Sequence, residues 1–148
     1  MTAIKECVGF SRVVFMSFDS NEKCLKMYLQ KINKDLPNLK QLTISFELNK
    51  LFKQLLKKEQ TLCINSKNQH KFSNLLPTPL RPMRTNATII INSFYVNKKV
   101  AGCMFVDHGR TDKPLTSNEL QSFKTICTEL KAAIESTIIK RKSAKRAA

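Results

Sequence analysis

ATIIINSFYVNKKVAGCMFV, running from Ala87 to Val106, contains two strongly apolar runs, Ala87 to Val96 and Val100 to Val106, separated only by Asn97-Lys98-Lys99. Runs that are apolar at both alternating positions suit strands covered on both faces. A short polar break led by asparagine has the size and chemistry of a hairpin turn. The stretch predicts two central antiparallel strands, and the remaining elements are placed relative to them.

Upstream, Phe10 to Asp19 is apolar on both faces, with Val13 and Phe15 on one and Val14, Met16 and Phe18 on the other, so it reads as a further central strand. Asp19-Ser20-Asn21-Glu22 reads as a turn. Leu25, Met27 and Leu29 then alternate with Lys26, Tyr28 and Gln30, the period of a strand with one buried and one wet face. Leu42, Ile44 and Phe46 suggest a short third strand. From Leu48 the period changes: Leu48, Leu51, Phe52, Leu55 and Leu56 fall on one helical face, with Lys50, Lys53 and Lys57 opposite, Ser45 as N-cap and an end near Glu59. Thr61 to Asn65 reads as another short strand. Residues 66–86 carry Pro77, Pro79 and Pro82, keep no period, and are too long for an idle connection, which marks them as a functional loop.

Downstream, Thr116 and Glu119 form a capping-box signature, followed by the stripe Leu120, Phe123, Cys127, Leu130 and Ile134 of a long helix. The stripe gives out before the basic run from Lys140 to Arg146, where fraying is expected. With a short helix at residues 3–8, the chain reads as one α/β (α+β) domain over 1–139, with an antiparallel sheet of about six strands and a basic tail over 140–148.

The formal net charge is +15, and it is unevenly distributed. Residues 23–84 hold 13 basic and 3 acidic side chains, and residues 140–148 hold 5 and none. Such a field favours an anionic partner, although solubility is a sufficient alternative reason. Cys7, Cys24, Cys63, Cys103 and Cys127 are odd in number, scattered and free of any Cys-x-x-Cys spacing, which fits a reducing, cytoplasmic setting. Cys63 and Cys103 lie in apolar strand-like runs and Cys127 on an apolar helix face, where cysteine behaves as a small hydrophobe. No apolar run reaches the length of a bilayer crossing, so no membrane partner is expected.

Gly9-Phe10-Ser11-Arg12-Val13-Val14, Leu75-Leu76-Pro77 and Gly102-Cys103-Met104-Phe105-Val106-Asp107, set in this element order, resemble a GAF domain, a relative of PAS-type sensor folds. The stretch Leu76 to Met83 and the phrase around Asp107 resemble GAF modules of bacterial HDOD-type signalling proteins. The opening helix is shorter than the usual leading helix, which fits a piece of a longer protein. The resemblance implies N- and C-terminal helices on one sheet face, and on the other a lid of helix and loop, here residues 48–86, with ligand between lid and sheet. There Arg81 and Arg84 are candidates to hold an anionic group, and Asn65, His70, Lys71 and Phe72 to supply polar contacts and a stacking face. The alternative is that these residues solvate and anchor a loop.

The family's special chemistries fit poorly. Asn65, Lys71 and Phe72 match part of a cyclic-nucleotide constellation, but the Asp-Glu that should follow is missing. The Cys, Asp-Ile-Pro and His of bilin-binding relatives are absent, and the cysteines are not clustered as a methionine sulfoxide reductase requires. With only His70 and His108, flanked by Asp107 and Asp112, a zinc site or catalytic triad lacks members, and three glycines make no phosphate loop. The expectation is a non-enzymatic regulatory domain without cofactor. It would bind a small, anionic ligand or an adjacent signalling domain, with a homodimer through the terminal helices as a family-style arrangement. The competing reading is a basic nucleic-acid-binding or protein-interaction module; few aromatics interleave with the charges, so nucleic acid is the weaker of its forms.

Overall fold

A computed structural model describes residues 10–32, 39–81, 88–108 and 116–147. Six strands, β1 (Arg12–Asp19), β2 (Cys24–Ile32), β3 (Thr43–Ser45), β4 (Thr61–Ile64), β5 (Thr88–Val96) and β6 (Lys99–His108), form one sheet in the order β3-β2-β1-β6-β5-β4. Every neighbouring pair is antiparallel. The helices are α1 (Lys50–Leu55), α2 (Gln69–Phe72) and α3 (Ser117–Ala147), with 3-10 turns at Ser73–Leu75 and Thr78–Leu80. The expected helix at 3–8 lies outside the described residues.

The central hairpin forms as its sequence predicts. Its loop is one residue shorter, because Lys99 already pairs with Val96, leaving Asn97 and Lys98 both at positive φ (53° and 66°). That is the geometry of a type I′ turn, whose twist matches that of the flanking strands. β1 lies beside β6, and at their contact Gly102 faces Ser17. A Cβ on Gly102 would sit 2.1 Å from the carbonyl oxygen of Met16, so only glycine allows this approach.

β2 departs from simple alternation. Phe15 pairs with Leu29, but Met16 pairs with Met27, so Tyr28 is the extra residue of a bulge. Leu25 and Met27 therefore pack on one sheet face and Leu29 on the other, although the period placed all three together. Tyr28 stays exposed and meets Phe15 edge-on, with ring centroids 6.0 Å apart.

α1 is shorter than its pattern suggests. Asn49, not Ser45, is the N-cap, its Oδ1 accepting the N–H of Phe52 at 3.0 Å. Leu48 therefore precedes the helix and is 87% exposed. Leu51, Phe52, Leu55 and Leu56 are buried as expected, and Lys50, Lys53 and Lys57 point to solvent. The helix stops early because Gln60 Nε2 takes the carbonyls of Gln54 and Leu55 at 3.0 and 3.1 Å.

The core has two layers. Val14, Met16, Leu25, Ile44, Ile64, Ile89, Ile91, Cys103 and Phe105 of the sheet meet Phe52, Leu55, Leu56, Leu76 and Leu80 on one face. Val13, Phe15, Ile90, Phe94, Met104 and Val106 meet Phe123, Ile126, Cys127 and Leu130 of α3 on the other. Each such fully buried side chain contributes roughly 1.5–3 kcal/mol. The capping box forms, Thr116 Oγ1 accepting the N–H of Glu119 at 3.1 Å while Glu119 Oε1 accepts from Thr116. The apolar stripe holds α3 to the sheet as far as Ile134, and the helical backbone continues to Ala147 where fraying was expected. Cys24, Cys103 and Cys127 are buried free thiols, whereas Cys63 is exposed on the edge strand rather than packed as its apolar surroundings in sequence suggested.

Candidate functional site

The lid over the sheet is made of α1 and, after the edge strand β4, of α2 and the 3-10 turns. Its far end is held by a charge inside an apolar strand. Arg12 opens β1 and pairs across the ladder with Asp107 of β6. Its Nε and Nη2 donate to the same carboxylate oxygen, Oδ2, at 3.2 and 2.7 Å. Nη2 also donates to the Arg81 carbonyl at 3.1 Å, and Nη1 to the Pro79 carbonyl. The guanidinium lies 5.3 Å from the Phe105 ring centroid. Asp107 is wholly buried, and such a charge is tolerable only with a partner this close. One rigid fork thus ties residues 79–81 to the centre of the sheet. The sequence marked both residues as fold-shaping without joining them; the signal was an arginine and an aspartate set in otherwise apolar central strands, which must find each other or another charge.

At its near end the lid is tied to the sheet and to α3. Ser93 Oγ of β5 donates to Lys58 O at 2.8 Å and accepts the Gln60 N–H at 2.9 Å, and the Tyr95 hydroxyl donates to Leu56 O. Burial first, and the Glu59 charge after it, push the Tyr95 phenol up and keep it a donor. Lys131 of α3 places Nζ 3.1 Å from both carboxylate oxygens of Glu59. Beside this pair a groove of about 300 Å³ opens between the β4–β5 edge and α3. Buried Phe94, Phe123 and Cys127 line it together with Thr61 and Asn92, which are hydrogen-bonded to each other at 2.6 Å.

The candidate ligand residues have separate local roles. Asn65 builds the turn after β4: its N–H donates to Asn68 Oδ1 at 2.7 Å and its Oδ1 accepts the Lys67 N–H at 2.9 Å. Phe72 packs against the lid core. Arg81 donates from Nε to Leu76 O at 3.2 Å, while its carbonyl takes Arg12. His70 and Lys71 are open to solvent on α2, and Arg84 lies outside the described residues. Beneath them, Leu76 and Leu80 fill the space against the sheet. Among the described residues no three His, Cys, Asp or Glu side chains gather as a metal ion would require. Burial raises the pKa of the Cys63 thiol, the opposite of nucleophile activation.

This chain, with its antiparallel order 3-2-1-6-5-4, a helix-and-loop lid on one face and a long helix on the other, superposes on solved structures. A GAF domain/HD domain protein from Geobacter sulfurreducens superposes with a TM-score of 0.66 at 19% identity, over 92% of this chain and 91% of that one. The fold is that of a GAF domain. The GAF domain of a two-component sensor histidine kinase from Bacillus halodurans gives a TM-score of 0.65 at 16% identity, covering 94% and 92%. A phycoerythrobilin-bound GAF domain from a cyanobacterial phytochrome gives 0.67 at 12%, covering 93% and 82%. No protein-family model matches the chain, and no curated protein does. Within this GAF fold the lid of the described residues closes directly on the sheet, and its polar side chains face its own turns or solvent.

Proposed function

We propose that the chain is a non-catalytic regulatory module of a signal-transduction protein, which takes an input at the lid and passes it to α3. The observation that carries this reading is the position of residues 56–60, which are bonded at once to α1, to β5 and, through Glu59 and Lys131, to α3. A shift of α1 would reach that helix through the Glu59–Lys131 pair. Similar folds described as parts of a sensor histidine kinase and a methyl-accepting chemotaxis protein support the setting.

The input is an anionic group, on a small molecule or an adjacent domain, met by His70, Lys71 and Arg81, with Arg84, Asn65 and Phe72 completing the contact. Because apolar side chains occupy the underside of the lid, an adjacent domain is the favoured source. Residues 1–139 form the module, 140–148 its basic extension, and the terminal helices its dimer contact, in a cytoplasmic protein. No helix in the described residues is long and apolar enough to cross a membrane.

The test is hydrogen exchange on α3 with and without an acidic peptide standing for an adjacent domain and a panel of anionic metabolites, run beside a thermal-shift screen. Saturable binding that changes protection in both 50–60 and 120–134 is expected, and it should vanish in Lys71→Glu. Binding that leaves α3 unchanged would sink the signalling reading. Sedimentation showing a monomer at high concentration would remove the dimer.

A further inference from the structure

The outward side of the lid carries more cations than acids, with Glu47 before Leu48 and Glu59 after Lys58 as its exposed carboxylates. Lys50, Lys53, Lys57 and Lys58 of α1 and its end are exposed, as are Lys67 and Lys71 around α2. None of them forms an ion pair among the described residues, whose salt bridges are Arg12 with Asp107, Lys26 with Asp19 and Glu22, and Lys131 with Glu59. From Gln60 to Val106 the sequence contains no acidic residue, and Glu59 is already held by Lys131. The α3 face differs: over 117–137 it mixes Glu119, Glu129 and Glu135 with Lys124 and Lys131. With Glu47 and Glu59 set against Lys50, Lys53, Lys57, Lys58, Lys67 and Lys71, the field on this side is net positive.

Two leucines break the same surface. Leu48 is 87% exposed in the turn before α1, and Leu75 is 39% exposed in the first 3-10 turn. The two segments are joined, since Asn49 Nδ2 donates to Leu75 O at 3.0 Å. With the underside packed and the end clamped by Arg12, this platform is presented rigidly.

We propose that the lid docks on an anionic membrane surface, its lysines among the headgroups and Leu48 and Leu75 at the acyl boundary. Three features favour a lipid surface over a shaped macromolecule. Among the described residues the exposed charges of this field are lysines, point cations that need no fixed geometry, apart from Arg81, whose Nε is taken by Leu76. The aromatic rings of the lid, Phe52 and Phe72, pack inward, so bases have no stacking platform. Exposed leucines between lysines match the chemistry of interfacial segments, each lysine adding to attraction for acidic headgroups. This revises the expectation of no membrane partner, which rested on the length of apolar runs; a surface contact needs no spanning segment. It shares Lys71 with the sensor reading but rests on Lys50, Lys53, Lys57 and Leu48, which that reading does not use.

The full chain is sedimented with vesicles of phosphatidylcholine alone and of equimolar phosphatidylcholine and phosphatidylserine. Binding only to the acidic vesicles, falling steeply with salt, is expected. The triple variant Lys50→Glu, Lys53→Glu, Lys57→Glu should lose on the order of a hundredfold in affinity. Leu48→Ser should lose severalfold, and Lys124→Glu on the opposite face should change little. Circular dichroism checks that each variant melts as the parent does. No binding to acidic vesicles, equal loss in Lys124→Glu, or full binding by Leu48→Ser would overturn the proposal. So would tighter binding to a duplex oligonucleotide than to the vesicles at the same salt, which would assign the cations to nucleic acid.

Discussion

Arg12 and Asp107 are 95 positions apart in the chain, yet Nη2 of one lies 2.7 Å from Oδ2 of the other. Both are buried, so removing one leaves the other in an apolar interior. Arg12→Met is expected to cost about 3–5 kcal/mol in denaturant unfolding and to expose residues 78–81 to proteolysis. Replacing both by apolar residues, Arg12→Met with Asp107→Leu, should recover much of the stability but not the protection of the loop, because the bonds to Pro79 and Arg81 are still missing. Equal protection in the double variant would refute the clamp.

Gly102→Ala drives a methyl group into the Met16 carbonyl, a backbone atom that cannot move without parting β1 from β6. A loss of roughly 3 kcal/mol is expected, at the upper end of overpacking costs. The same change at an exposed loop glycine would cost far less. A melting temperature equal to that of the parent would contradict the strand spacing described.

The turn between β1 and β2 carries a pH dependence of known sign. The Glu22 N–H first, and Lys26 after it, hold the Asp19 carboxyl below its ordinary 3.8. Its contribution is therefore complete above that value and disappears as pH falls through the lower folded-state value. Asp19→Asn keeps an acceptor for the N–H groups of Asn21 and Glu22 but loses the charge on Lys26. The gap in melting temperature between parent and variant should be open at neutral pH and close in acid. A gap constant across that range would rule out the assignment.

Glu59→Gln removes an ion pair that is partly open to water, so its effect on global stability should stay below about 1 kcal/mol. Its effect on communication should be larger. In the parent, a lid ligand is expected to alter hydrogen exchange in α3; in Glu59→Gln that response should shrink while the response within 50–60 persists. An undiminished response would place the coupling elsewhere.

Strands and helix stripes were legible in sequence because they depend on local period: Ile89 to Val96, Val13 to Phe18 and Leu120 to Ile134 all lie where their spacing places them. The turn at Asn97 and the cap at Thr116 were legible for the same reason, since each is local chemistry. The bulge at Tyr28 was not, because register against β1 is settled by packing on both faces of the pair. α1 was extended too far because Leu48 continues its stripe while Asn49, an equally good cap, interrupts it. Of the candidate site, the exposure of Lys71 and His70 was legible, whereas the uses of Asn65 in a turn and of Arg81 in holding Leu76 depend on how the loop folds back on itself.

α3 is gripped by the sheet from Leu120 to Ile134 and then continues to Ala147. At about 1.5 Å per residue the gripped and the projecting parts are nearly equal, each about 20 Å long. If the contacts nearest Leu120 yielded while those at Ile134 held, such a rod would behave as a beam with its fulcrum at Ile134. A displacement of one ångström at the Leu120 end reappears at Ala147 with nearly the same size and the opposite direction, and Lys131 sits close to the fulcrum. A pull applied through Glu59 has little leverage to tilt such a beam. It would act instead as a torque about the helix axis, so under the proposed signalling role rotation, more than swing, is the expected motion.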